Sequence, residues 1–152
     1  MAVAARLSRL GVTIPSPAAP VANYIPYRIT DHQVHVSGQI PRSGDSLITG
    51  AVGSEVPLEQ AQEAAKICIL NFIAQINAAT GGDLDKVKKI IKINVFVRSA
   101  PDFSDQPKVA NGASDMLVAV FGEEVGRHAR SAVGVAQLPF GVPVEIDGIV
   151  EI

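Results

Sequence analysis

Two apolar periodicities alternate along this 152-residue chain, and they limit what it can become. Over 32–40 the pattern has period two. Val34, Val36, Gly38 and Ile40 share one face, and Gln33, His35, Ser37 and Gln39 the other, as in a half-buried strand. Over 57–79 the pattern turns helical. Leu58, Ala61, Ala65, Cys68, Phe72 and Ile76 form a stripe, Pro57 suits the first helical position and Gly81-Gly82 stops the helix. Period two returns over 88–98. There Ile91, Ile93, Val95 and Val97 lie opposite Ile90, Lys92, Asn94, Phe96 and Arg98. A second helix is predicted over 106–121, with Val109, Ala113, Met116, Leu117 and Val120 inward and Gly122 after its end. Strands follow at 131–137 and 142–151, joined by Leu138-Pro139-Phe140-Gly141. Two helices cover only one face of such a sheet. The expected fold class is therefore α+β, a two-layer sandwich with a mixed sheet of about six strands and two helices on one face.

The chain reads as one domain, 1–152, with 1–20 as an N-terminal arm. Pro15-Ser-Pro-Ala-Ala-Pro20 is extended and leads into a hairpin of 21–29 and 32–40 around Thr30-Asp31. A turn cluster, Pro41 to Ser46, precedes a short strand near 47–50. Met1 to Val12 carries Arg6 and Arg9 among Ala, Leu and Val and lacks a continuous apolar core, so no secretory signal is expected. A short amphipathic surface helix and an organellar presequence are the two readings of that stretch.

Composition narrows the function classes. Counting the thirteen glycines and leaving out the tyrosines, the apolar share is about 54%, above the typical range, while charged residues are only 18%. A small domain this apolar hides surface in an oligomer. The net charge of −2 argues against a nucleic-acid binder and against an anionic-membrane binder. One cysteine excludes an internal disulfide and multi-cysteine metal sites, and a reducing, cytoplasmic location is expected. No stretch is long enough for a spanning helix.

The sheet face away from the helices is expected to carry Gln33, His35, Ser37, Gln39, Lys92, Asn94, Phe96, Ala132, Gly134 and Glu145, with Ile90 among them. That set is too polar for a monomer's core and too poor in charge for an open solvent face. Neighbouring subunits in cyclic symmetry would cover it with one repeated contact, leaving pockets at the seams.

Arg130 is the first candidate site residue. Period two places it beside Ala132, Gly134 and Ala136, three small side chains that leave a hollow, allow close packing against another backbone, or do both at a subunit seam. A guanidinium there is either a fork for a planar carboxylate or half of a structural ion pair. Glu145 follows on the last strand. If 131–137 and 142–151 pair as a hairpin, Glu145 shares the seam with Arg130 and holds a water; otherwise it is part of a solvated face.

Val36-Ser-Gly-Gln-Ile-Pro41, Ile93-Asn-Val-Phe-Val97, Ala129-Arg-Ser-Ala-Val-Gly-Val-Ala-Gln-Leu-Pro139 and Val144-Glu-Ile146 together resemble the RidA family, also called YjgF, over about Val21 to Ile152. Gly126-Arg-His-Ala-Arg-Ser-Ala-Val-Gly-Val135 is similar to a RidA-like subgroup described as chorismate-mutase-like in fold. The resemblance implies a homotrimer with sites between subunits and hydrolysis of enamines and imines, such as 2-aminoacrylate, to a 2-keto acid and ammonia. It implies no cofactor and no metal. By the same resemblance, Arg130 clamps the substrate carboxylate and Glu145 positions the attacking water. Tyr24 stands near the pocket mouth, and Ser37 and Asn111 are polar pocket positions. Ala132 falls where many members have cysteine, so that only its backbone N–H is left to contact a carboxylate.

Two other functions compete. One is a non-catalytic binder of small carboxylates using the same Arg130 pocket. The other is ribonuclease action, which the acidic charge, the few aromatics and the absence of a placed histidine pair support poorly. His32, His35 and His128 are not spaced as a metal cluster; His128 reads as a surface or hydrogen-bonded histidine. Cys68 reads as a buried, inert thiol.

Overall fold

The computed structural model describes residues 2–20 and 22–152. Met1 and the predicted first residue of the hairpin, Val21, lie outside the described residues. Three α-helices lie among the described residues, α1 (Val3–Leu10), α2 (Leu58–Ala79) and α3 (Gln106–Gly126). Seven strands accompany them: β1 (Tyr27–Thr30), β2 (Gln33–Gln39), β3 (Arg42–Ser43), β4 (Ser46–Leu47), β5 (Lys89–Arg98), β6 (Ala129–Val135) and β7 (Val144–Glu151). Five strands form the main sheet in the order β1-β2-β7-β5-β6, and β3 and β4 make a separate two-residue ribbon. The two-layer α+β class holds. The expected counts do not: there are three helices rather than two, and five sheet strands rather than about six.

The added helix comes from the predicted amphipathic stretch. Val3 is buried, Leu7 packs against the core, and α1 lies on α3. The Asp85 carboxylate accepts from the Val3 backbone N–H (2.8 Å) at the positive end of α1. Pro57 is the N-cap of α2 rather than its first helical residue. Gly122, with φ 84° and ψ 167°, breaks α3 where the sequence predicted its end, and one more turn reaches Gly126.

Helices α2 and α3 pack on each other and on one sheet face, burying Phe72, Ile69, Ile73, Leu117, Ile93, Val95 and Ile146. Two register shifts change which residues that face receives. A bulge between Ile90 and Lys92 sends Ile90 into the core and leaves Ile91 half-buried, the reverse of the predicted alternation. A second shift, between Val36 and Gln39, buries Gln39 and leaves Gly38 exposed against Glu145, again the reverse of expectation. Strict period two fails where the chain inserts one extra residue, and a period count cannot see that insertion.

The largest correction concerns the last two strands. β6 and β7 do not form a hairpin. β5 lies between them, parallel to β6 and antiparallel to β7. Arg130 pairs in register with buried Ile93 and Ala132 with buried Val95, so both lie on the helix side together with Gly134. Ser131, Val133 and Val135 face the open side in their place.

Candidate active site: two half-sites on opposite faces

Arg130 stands at the free edge of the sheet beneath α3. Its Nη1 donates to Asn111 Oδ1 (2.9 Å) and to Ser114 Oγ (3.1 Å), both on α3. No carboxylate lies within ion-pair distance of it among the described residues. Within the one chain, the structural ion pair is therefore not formed. A half-buried guanidinium held by neutral acceptors keeps its charge available to an incoming anion. Of the small residues beside it, Ala132 packs against the core, and a Cβ on Gly134 would meet Gln106 Nε2 at 3.0 Å and Ser99 Oγ at 3.2 Å, while Gly134 and Ala136 stay exposed.

Glu145 pairs with Phe96 on the other side of the sheet. It sits in a cavity of about 630 Å³ whose wall includes the arm (Pro15, Ala18, Ala19), Tyr24, Leu70 and Phe140. Gln75 Nε2 donates to the Ala18 carbonyl (3.1 Å) and so ties the arm to α2. A Cβ on Gly38 would lie 2.8 Å from Glu145 Cδ, so only glycine leaves the carboxylate its place. Burial, helped by the neighbouring Asp147 carboxylate, pushes the Glu145 pKa up. No described residue hydrogen-bonds its side chain. A carboxylate that is partly desolvated and unpartnered is a more basic group than one in water.

Phe140 marks the mouth of this cavity. Its φ of 58° is unusual for a bulky residue, and it is 66% exposed. The Gly141 carbonyl accepts from Arg98 Nη1 (3.0 Å) and from the Gly50 N–H (2.8 Å), which pins that turn. The Arg42 guanidinium stands 5.8 Å from the Phe140 ring centroid.

The predicted site residues therefore fall into two groups. Tyr24 lines the Glu145 cavity. Ser37 is close by in sequence, but its hydroxyl is spent on the Ile25 carbonyl (3.1 Å), and Gly38 lines the cavity instead. Asn111 and Arg130 form the other group, with Ala132 behind them. The two groups are on opposite faces, so the expected meeting of Arg130 and Glu145 on adjoining strands of one chain does not occur. Sequence reasoning missed Gly38, Phe140 and Ser114. Only a bulge, a strained turn and a crossover helix bring them to these positions. Cys68 is buried as expected, and burial pushes its thiol pKa up.

Comparison with known proteins agrees with this architecture. The family model described as YjgF/chorismate mutase-like, putative endoribonuclease, matches residues 4–143. The chain belongs to this family. Protein TCP17 of Trypanosoma cruzi is 53% identical over 151 residues, which cover 99% of this chain and 94% of that protein. The crystal structure of Atu1372 from Agrobacterium tumefaciens, a protein of unknown function, is similar with 47% identity and a TM-score of 0.90, covering 99% of this chain and 92% of that one. A 2-iminobutanoate/2-iminopropanoate deaminase of Dermatophagoides farinae is 29% identical over 143 residues, covering 93% of this chain and 94% of the enzyme. The RidA-like sequence motifs thus sit on a YjgF-type fold. Among the described residues no helix is long and apolar enough to cross a membrane.

Proposed function

We propose that this protein hydrolyses 2-imino acids of the 2-aminoacrylate type to 2-keto acids and ammonia, in sites shared between copies of the chain. The carrying observation is the unpaired Arg130, whose neutral partners leave its Nε–Nη2 edge free for a carboxylate. One copy supplies that edge. A neighbour supplies Glu145, with Tyr24 at the cavity mouth. The kinship with an imine deaminase supports the same chemistry.

In the reaction, Arg130 holds the substrate carboxylate and turns the C=N carbon toward the neighbour's Glu145. That carboxylate takes a proton from water as the oxygen adds to the carbon. Glu145 returns that proton to the nitrogen of the tetrahedral carbinolamine, and as the C–N bond breaks the hydroxyl gives up its proton to the same carboxylate, releasing ammonia and leaving the 2-keto acid. The iminium carbon is already electrophilic, so these steps call for no cofactor. The cyclic trimer that the family resemblance implies would build such shared sites. It is supported by the free, nearly uncharged edge strand β6 and by the apolar residues Phe96, Val133 and Val135 on the uncovered face.

A second reading has one observation in its favour. The Arg130 half-site is complete within one chain, as a simple carboxylate binder would need. The test generates 2-aminoacrylate in place with a serine dehydratase and follows keto-acid formation. Wild type is expected to exceed buffer, and Arg130→Lys to lose most of that rate, since a point charge lacks the fork. Wild type no faster than buffer, with 2-keto acids still bound, would establish the binder.

A further inference from the structure

The feature that the proposed reaction leaves unused lies behind Arg130. His128 Nδ1 is 2.7 Å from the Gly126 carbonyl, and His128 Nε2 is 2.9 Å from Ser114 Oγ. A carbonyl only accepts, so Nδ1 carries the proton. Nε2 of the neutral ring is then an acceptor, and the Ser114 hydroxyl donates to it. Ser114 Oγ in turn accepts from Arg130 Nη1. Every bond runs one way, from Arg130 to Ser114 to His128 to Gly126. Asn111 takes the second hydrogen of the same Nη1.

The end of the relay is anchored by the chain itself. The break at Gly122 folds the last turn of α3 back, and a Cβ on Gly126 would lie 2.6 Å from the Leu117 carbonyl oxygen. The Gly126 carbonyl is therefore fixed against α3, the same helix that carries Ser114 and Asn111. Burial lowers the His128 pKa, and the Arg130 charge adds to this, which keeps the ring in its accepting form.

We infer that Ser114 and His128 are positioning residues for Arg130: their relay, with Asn111, occupies both hydrogens of Nη1 and so aims the Nε–Nη2 edge at a ligand carboxylate. This rests on Arg130 being the clamp of the proposed reaction. Nothing in the family resemblance assigned a role to either residue. Their work is orientation: a free guanidinium must lose rotational freedom on binding, whereas this one is already held.

The test uses the full-length protein and two readouts. The first is ¹⁵N NMR of the Arg130 guanidinium and the His128 ring. Wild type is expected to show the Nδ1–H tautomer and slow rotation about the Cζ–Nη1 bond. Ser114→Ala and His128→Ala should speed that rotation, while Ser114→Thr and His128→Gln, which keep a hydroxyl or a neutral acceptor, should restore it. The second readout is 2-oxobutanoate binding by calorimetry. The two alanine variants should weaken it about tenfold, and the conservative variants should bind within about twofold of wild type. Arg130 signals unchanged in both alanine variants would overturn the positioning role. Unaltered 2-oxobutanoate binding by Arg130→Ala would instead overturn the clamp, and with it the carboxylate half of the proposed reaction, whatever the NMR shows.

Discussion

The two half-sites prepare their charges in opposite ways. Around Arg130 both bonds of Nη1 go to neutral acceptors on one helix, and the Nε–Nη2 edge is left free. Around Glu145 no described residue partners the carboxylate; burial and then the Asp147 charge push its pKa up. The first arrangement favours geometric precision, the second reactivity. A binding fork must be aimed, whereas a general base must be ready to take a proton. The sheet keeps the two apart in one chain, so neither neutralises the other there.

Breaking the Glu145 half should have the largest effect. Glu145→Gln is expected to lower the deaminase rate by about 10²–10⁴-fold while leaving 2-oxobutanoate binding within a few-fold, as separate rate and calorimetric measurements will show. A comparable loss of affinity would mean that the base also serves as a binding group.

Separation of the halves has a sharper consequence. Arg130→Ala and Glu145→Ala chains, each inactive alone, should regain activity when coexpressed. Random mixing gives about a quarter of the sites both native groups in a cyclic assembly. No recovery in isolated hetero-oligomers would overturn the shared site.

Two glycines sharpen the contrast between faces. A Cβ on Gly148 would lie 2.5 Å from the Lys92 carbonyl oxygen and 3.0 Å from the Phe72 ring, inside the core. Gly148→Ala should cost about 1–3 kcal/mol in denaturant unfolding. Gly38→Ala should leave that stability nearly unchanged and reduce turnover, because the methyl group meets Glu145. On the open face, Val133→Asp should break the proposed trimer, shifting the mass in light scattering from about three times 15.9 kDa to one chain without unfolding it.

The smallest effect concerns acid. The His128 pKa is lowered in the fold, by burial first and by Arg130 as well, so the unfolded chain takes up this proton more readily. Its contribution to stability is present above the ordinary histidine pKa of about 6.5 and is lost as pH falls through that value and below. Wild type should therefore lose stability on acidification from pH 7 to 5 more steeply than His128→Gln. Parallel curves from thermal melts would show that the ring titrates as in water.

Much of this protein was legible beforehand, for physical reasons. Long periodic segments such as 57–79 and 89–98 announce their type because each must bury a stripe or a face. The Gly122 break is legible because few other residues tolerate that backbone. The short helix at 3–10 was foreseen only as one of two readings. The pairing of β6 was not legible: nothing in the residues of 129–135 says whether the next strand or β5 lies beside it. Arg130 and Glu145 stood out by residue type, yet the face each occupies depends on that pairing and on bulges one residue long.

The sequence alone determined which residues are apolar, at what period, and where the backbone must turn, since these are local properties of side chains and φ angles. Strand order, the sides on which Arg130 and Glu145 lie, and the Arg130–Ser114–His128 relay were decided only by tertiary structure. They join residues distant in the chain, and their cost and gain exist only once α3 has crossed from β5 to β6 and the sheet has closed over the core.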